Sequence, residues 1–272
     1  MAVSQTTGGP GRHALEDQLT SLRREHDDLR HSVYEAAQVQ RKLCGTRHFR
    51  AGSYELASEI FPVWHLSGDF ISVFRMKGDL ILAIGDIAGK GLAAAMWFTY
   101  MIVMIRRQIL SLGNPAEGLS ALNNELMRAG VEVPLTTVFV ARINLESGDL
   151  VYCNAGHPPT LLIRANDEIQ ELGIGGPILG AISNARFTNG VARLWPGNML
   201  LAYSDGILEC RNESGTEFGT NRLMNTVRTV YGSNPSGLLF SVLAAVENFA
   251  GNQRRQDDIA LTVLHRFGSS GT

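Results

Sequence analysis

Four aspartates stand at the ends of apolar, strand-prone runs, and this arrangement restricts the fold more than any other feature of the chain. Asp69 opens the run 70–74, Asp86 closes the run 80–85, Asp205 follows 199–204, and Asp257 precedes the run that starts at Ile259. In antiparallel sheets the start of one strand lies beside the end of its neighbour. Two starts and two ends can therefore meet at one edge of a fold. Four carboxylates in one place repel each other, and divalent cations remove that cost. All-oxygen ligands without Cys or His nearby select hard ions, Mg²⁺ or Mn²⁺, over zinc. A single Asp at a strand end is, on its own, an ordinary turn or cap residue, so the set carries the signal.

The surrounding pattern fits such a fold. Short β-prone runs fall at 69–76, 79–84, 137–144, 150–153, 160–164, 198–203 and 259–265. Helical periodicity covers 92–110, 116–129, 221–231 and 235–249, with Asn114-Pro115 and Asn234-Pro235 as helix starts. Strands in clusters and helices in pairs point to an α+β fold with antiparallel sheets. A hydrophobic fraction of 44% excludes wholesale disorder, and a formal net charge of −2 argues against a broad basic face for nucleic acid. The longest uncharged stretch near the middle, 91–105, has 15 residues. A membrane-spanning helix needs roughly 18 or more, so this is read as a core helix, with no membrane partner. No apolar stretch follows Met1, and no signal peptide is expected. Cys44, Cys153 and Cys210 form neither a disulfide framework nor a C-x-x-C pair, which suggests reduced thiols in a cytoplasmic protein.

Ahead of this region the pattern is different. Residues 1–12 read as a disordered tail and 13–45 as a helical linker. Leu15, Leu19, Leu22, His26, Leu29, Val33, Ala36, Gln40 and Leu43 alternate spacings of four and three, a heptad seam without Pro or Gly. His26 and Gln40 weaken that seam and would fix its register. Residues 1–45 carry six basic and six acidic residues, the balance of a solvated helix. The seam fits either an amphipathic helix packed on the following domain or a parallel coiled coil that makes a homodimer through residues 13–45. Residues 36–43 are the stretch expected to touch the domain.

Three motifs come close to known signatures and miss. The segment 85–91 (GDIAGKG) is one residue short of a Walker A loop, and Gly91 stands where the hydroxyl residue belongs. The segment 173–177 (GIGGP) lacks the last glycine of a dinucleotide fingerprint. Ser204, between Ala202 and Gly206, resembles a nucleophile elbow, with Asp257 and His265 following in hydrolase order. That last reading requires three groups to converge although Asp257 and His265 share one short strand.

Taken together, Ser67-Gly68-Asp69-Phe70, GDIAGKG at 85–91, Thr136-Thr137-Val138-Phe139, Asn154-Ala155-Gly156-His157-Pro158, Pro177-Ile178-Leu179-Gly180, Tyr203-Ser204-Asp205-Gly206 and Gln256-Asp257-Asp258-Ile259-Ala260 resemble, in order, the motifs of the metal-dependent PPM protein phosphatases. The nearest branch is the bacterial SpoIIE/RsbU type. Ser67, Ser72 and Ala260 depart from its usual pattern but remove no metal-linked Asp. The resemblance implies an α-β-β-α sandwich over 46–267, followed by a short tail at 268–272. It implies two Mn²⁺ or Mg²⁺ ions held by Asp69, Asp86, the Ile87 carbonyl, Asp205 and Asp257, with Asp258 a candidate for a supporting place. It implies a phosphorylated STAS-domain protein as substrate, in sigma-factor partner switching; from the helical arm itself, an upstream activator is expected at the N-terminal helix. A non-catalytic signalling module is the alternative. His157 and Lys90 stay outside the expected catalytic set.

Overall fold

Whether a strand is apolar on one face or on both decides which layer it occupies. The computed structural model describes residues 10–44, 46–166 and 168–268. Strand β4 (Asp79–Ile87) turns Leu80, Leu82 and Ile84 into one core and Ile81, Ala83 and Ile87 into another. Its apolar run is continuous because both of its faces are covered.

β4 lies inside a sheet with β3 (Phe70–Met76), β5 (Thr136–Asn144), β6 (Asp149–Ala155) and β10 (Gly190–Arg193), in the order β10-β6-β5-β4-β3. The two-residue β9 (Gly175–Gly176) adds to β6 in parallel; the other pairings are antiparallel. The second sheet runs β1-β2-β12-β11-β7-β8, all antiparallel. Its strands are β1 (His48–Ala51), β2 (Tyr54–Phe61), β7 (Thr160–Ile163), β8 (Ile169–Leu172), β11 (Met199–Tyr203) and β12 (Ile259–Arg266). Between the sheets lies a core containing Leu82, Phe139, Tyr152, Leu200 and Leu264.

Helices cover both outer faces. α2 (Leu92–Leu112) and α3 (Pro115–Arg128) bury Phe98, Met101, Ile105 and Leu122 against the first sheet. α5 (Gly219–Thr229) and α6 (Pro235–Ala250) bury Leu223, Leu239 and Val242 against the second. α4 (Asp205–Leu208) is a single turn after β11. The expected α-β-β-α sandwich is thus observed. The two Asn-Pro starts act as read: Asn114 Oδ1 accepts from the N–H groups of Ala116 and Glu117, and Asn234 Oδ1 from that of Gly237. The apolar run 91–105 is the core helix α2, and among the described residues no helix is long and apolar enough to cross a membrane.

α1 (Pro10–Leu43) takes in residues 10–12 of the expected tail; residues 1–9, like 269–272, lie outside the described residues. The helix has two halves. Leu15, Leu19, Leu22 and Leu29 are 68%, 47%, 64% and 64% exposed. From Val33 onward it packs on the domain, where Ala37 meets Leu66 and Ala95. Within the stretch 36–43 expected to touch the domain, Gln40 is a docking residue. Its amide donates to Ser67 O and accepts from Ser67 N–H, both at 3.1 Å. Arg106 of α2 closes the C-terminal end of the helix, donating to Leu43 O at 3.1 Å and to Ser72 Oγ at 2.9 Å.

β3 and β4 approach closely at Gly85. A Cβ built there would lie 2.3 Å from Thr137 O and 2.5 Å from the Phe70 ring. Gly85→Ala is therefore expected to destabilise the protein by about 3 kcal/mol, the scale of an overpacked core, read as a lower urea midpoint at unchanged slope.

Candidate active site

Each sheet delivers one pair of carboxylates to the same edge of the sandwich. In the first, Phe70 pairs with Gly85, so Asp69 at the entrance of β3 stands beside Asp86 near the end of β4. In the second, Tyr203 pairs with Leu261, so Asp205 just after β11 faces the entrance of β12, where Asp257 lies. Ser204 joins the pairs. Its buried hydroxyl accepts from Ala260 N–H at 2.9 Å and hydrogen-bonds the Asp69 carboxyl.

The electrostatics record the crowding. Burial, then the Asp86 charge, pushes Asp69 well above the usual carboxylate range, against the opposing Ser204 hydrogen bond. Asp86 is pushed up to about 7, first by burial and then by Asp205, Asp257 and Asp258. Asp205 is raised by burial and by Asp257, with the Gly206 backbone and Lys90 opposing. The cluster therefore carries more negative charge than its surroundings can solvate.

Asp258 anchors this edge. It accepts from Val63 N–H at 2.7 Å, Ser67 Oγ at 2.9 Å and Gly68 N–H at 2.9 Å, which pins the loop that carries Asp69. Lys90 ties the glycine loop to the entrance of β12. Its Nζ donates to Gln256 O at 2.7 Å and stands 3.5 Å from Asp257 Oδ1.

The donor set suits a hard cation. Asp69 Oδ2 is buried without a hydrogen-bond partner. Around the point where a Gly68 Cβ would sit, Ile87 O, Asp86 Oδ1 and Gly89 O lie at 3.0, 3.4 and 3.5 Å, so main-chain and carboxylate oxygens converge where glycine leaves room. Among the described residues no three Asp, Glu, His or Cys side chains close on one point by themselves. Side-chain carboxylates alone thus do not complete a shell here, and a hard ion at this edge would draw on main-chain oxygens or keep waters as further ligands.

Two other residues near this edge have structural places. His157 is buried, with Nδ1 2.9 Å from Thr137 Oγ1, and Asn154 holds its turn by bonding both its N–H and its C=O. Burial lowers its pKa to about 3, against a backbone hydrogen bond at Tyr203. It is a buried neutral ring, not an acid at neutral pH. Ser204 is engaged at Asp69 and Ala260, while His265 pairs with Met199 at the opposite end of β11. The hydrolase triad is not assembled. Asp258, a supporting candidate in the sequence, is here the anchor of the loop before Asp69.

Residues 76–267 match the family described as Stage II sporulation protein E (SpoIIE). The chain belongs to the SpoIIE family. Within this branch of the PPM phosphatases, the phosphoserine phosphatase RsbU of Bacillus subtilis (strain 168) is 27% identical over 197 residues. That alignment covers 72% of this chain and 58% of RsbU, so the chain spans little more than half of that relative. Solved structures share the SpoIIE-family fold. The SiaA-PP2C domain of Pseudomonas aeruginosa superposes with a TM-score of 0.76 at 20% identity, covering 90% of this chain and 99% of that one. The RsbU and RsbW domains of Rv1364c from Mycobacterium tuberculosis give 0.69 at 23% identity, covering 79% and 62%. Asp69 and the docked helix precede the stretch matched to the family.

The raised Asp86 pKa has a sign that can be worked out. Its unfolded value is near 3.8 and its folded value about 7. Below the lower value both states are protonated and nothing is lost. As pH rises through the window, the folded state is penalised by up to about 4 kcal/mol. In EDTA, Asp86→Asn should match wild-type stability near pH 4 and exceed it increasingly up to pH 7–8. Taking the difference between the two denaturation series cancels the opposite effect of His157, which costs stability as pH falls below about 6.5.

Proposed function

We propose that the chain is a Mn²⁺- or Mg²⁺-dependent protein phosphatase acting on phosphoserine or phosphothreonine. The observation that carries this reading is the gathering of four aspartates from two sheets at one edge, where burial and neighbouring carboxylates raise the pKa values of Asp69, Asp86 and Asp205. In this reading residues 46–267 form the catalytic domain, and Asp69, Asp86, the Ile87 carbonyl, Asp205 and Asp257 hold two ions. Bound ions neutralise the charge that develops on the phosphoryl oxygens and activate water near neutral pH. The chain's own groups prepare the site. Ser204 orients the Asp69 carboxyl, Asp258 fixes the loop before it, and Lys90 keeps the glycine loop against the entrance of β12. The identity to RsbU, described as a phosphoserine phosphatase, supports phosphoserine as the substrate group. A STAS-domain regulator is the proposed bearer, and three free cysteines fit a cytoplasmic setting.

The exposed leucines of α1 support a homodimer through the outer half of the helix, and an upstream activator would engage the same arm. Removing residues 1–30 keeps the docked segment around Gln40. It should convert a dimer to a monomer by analytical ultracentrifugation, and a dimer that survives the truncation sinks this part of the reading.

The activity test uses para-nitrophenyl phosphate with Mn²⁺. Wild type should turn it over, EDTA should abolish turnover, and Asp205→Asn should lower kcat/KM by about a hundredfold or more. Ser204→Ala is expected to retain part of the activity and its metal dependence. Chelator-insensitive turnover that vanishes in Ser204→Ala would overturn the phosphatase assignment.

A further inference from the structure

A cleft of about 500 Å³ opens beside the carboxylate cluster, between the turn after α4 and the loop joining α6 to β12. It shares Lys90 and Asp257 with the cluster and is bordered by Gly206, next to Asp205. Its other cations are Arg211, Arg254 and Arg255, and its other acids are Glu209 and Glu213.

The pairing of these cations decides what the cleft can take. Lys90 is occupied by Asp257 and Gln256, and Arg211 by Glu217 at 2.7 Å. Arg254 is exposed and makes no ion pair among the described residues. Arg255 is half-buried and, among the described residues, donates to Phe61 O at 3.5 Å and pairs with no carboxylate, while its charge acts on the Cys210 thiol of the cleft. Two adjacent guanidiniums therefore stand at the wall without a carboxylate partner, within a few residues of Asp257. An extended chain advances about 3.3 Å per residue. A peptide whose phosphoserine lies at the cluster would thus place a neighbouring residue here.

We propose that this cleft is a specificity site: Arg254 and Arg255 select an acidic side chain flanking the phosphoserine of the substrate protein. The proposal rests on the phosphatase reading for its register, but its binding half can be measured without catalysis. Arg254 and Arg255 are specificity residues, away from the reacting atoms, so they act on KM and leave kcat in place.

The probes are two fluorescein-labelled phosphoserine peptides that differ only in carrying Glu or Lys at the flanking positions. Wild type should bind the Glu peptide about fivefold more tightly by anisotropy, the scale of one or two exposed ion pairs, and the difference should shrink in 0.5 M salt. With Mn²⁺, kcat/KM for hydrolysis should favour the same peptide through KM. Arg254→Glu should lose or reverse both preferences while turning over para-nitrophenyl phosphate at the wild-type rate. The exposure of Arg254 makes misfolding of that variant easy to separate, since its urea midpoint should not move. Equal binding of the two peptides, no measurable binding of either, or a preference that persists in Arg254→Glu overturns the proposal. Failure to hydrolyse para-nitrophenyl phosphate would instead count against the phosphatase reading, with the anisotropy result still deciding the cleft.

Discussion

The repulsion among Asp69, Asp86, Asp205 and Asp257 is the constraint around which the rest of this structure is arranged. Each pair comes from the plain geometry of antiparallel neighbours, and packing the two sheets face to face brings the pairs together. Burial then makes the charge expensive, as the upward displacement of Asp69 and Asp86 records. Such a cluster persists because the surrounding fold holds it. Continuous apolar strands, covered on both faces, supply the stability that the edge itself lacks.

The fold also spends polar groups on rigidity at that edge. Asp258 binds three groups of the loop before Asp69, Gln40 grips the same loop from the other side, and Lys90 links the glycine loop to β12. Ser67 is touched by both Asp258 and Gln40. The N-terminal helix is thus in mechanical contact with the segment that presents a candidate metal ligand. Buried, mutually satisfied hydrogen bonds of this kind specify one arrangement over its neighbours.

Legibility in the sequence followed burial. The strands read from composition, such as β4 and β12, and the helices α2, α3 and α6 are the elements with strong apolar patterns and clear caps. β1 and β2 were not readable in this way. β2 carries Glu55, Ser58 and Glu59, and its place is set by its neighbours β1 and β12 and by the Arg47–Glu59 ion pair at 3.0 Å. The short strands β8, β9 and β10 owe their existence to the edges they pair with. The four aspartates were legible because each sits in an unusual local motif. The anchoring of Asp258 was not, because its partners lie about 190 residues away.

By itself the sequence determined the class of fold, the order of the motifs and the acidic residues of the shared edge, because periodicity and residue type are local properties. Only the tertiary structure decided the roles of Gln40, Ser204 and His157. Gln40 holds the helix end on the Ser67 loop, Ser204 hydrogen-bonds Asp69 and is no nucleophile, and His157 is a buried neutral ring. In each case the deciding quantity was a partner brought near by folding and the burial around it, and neither is written in the spacing of the chain.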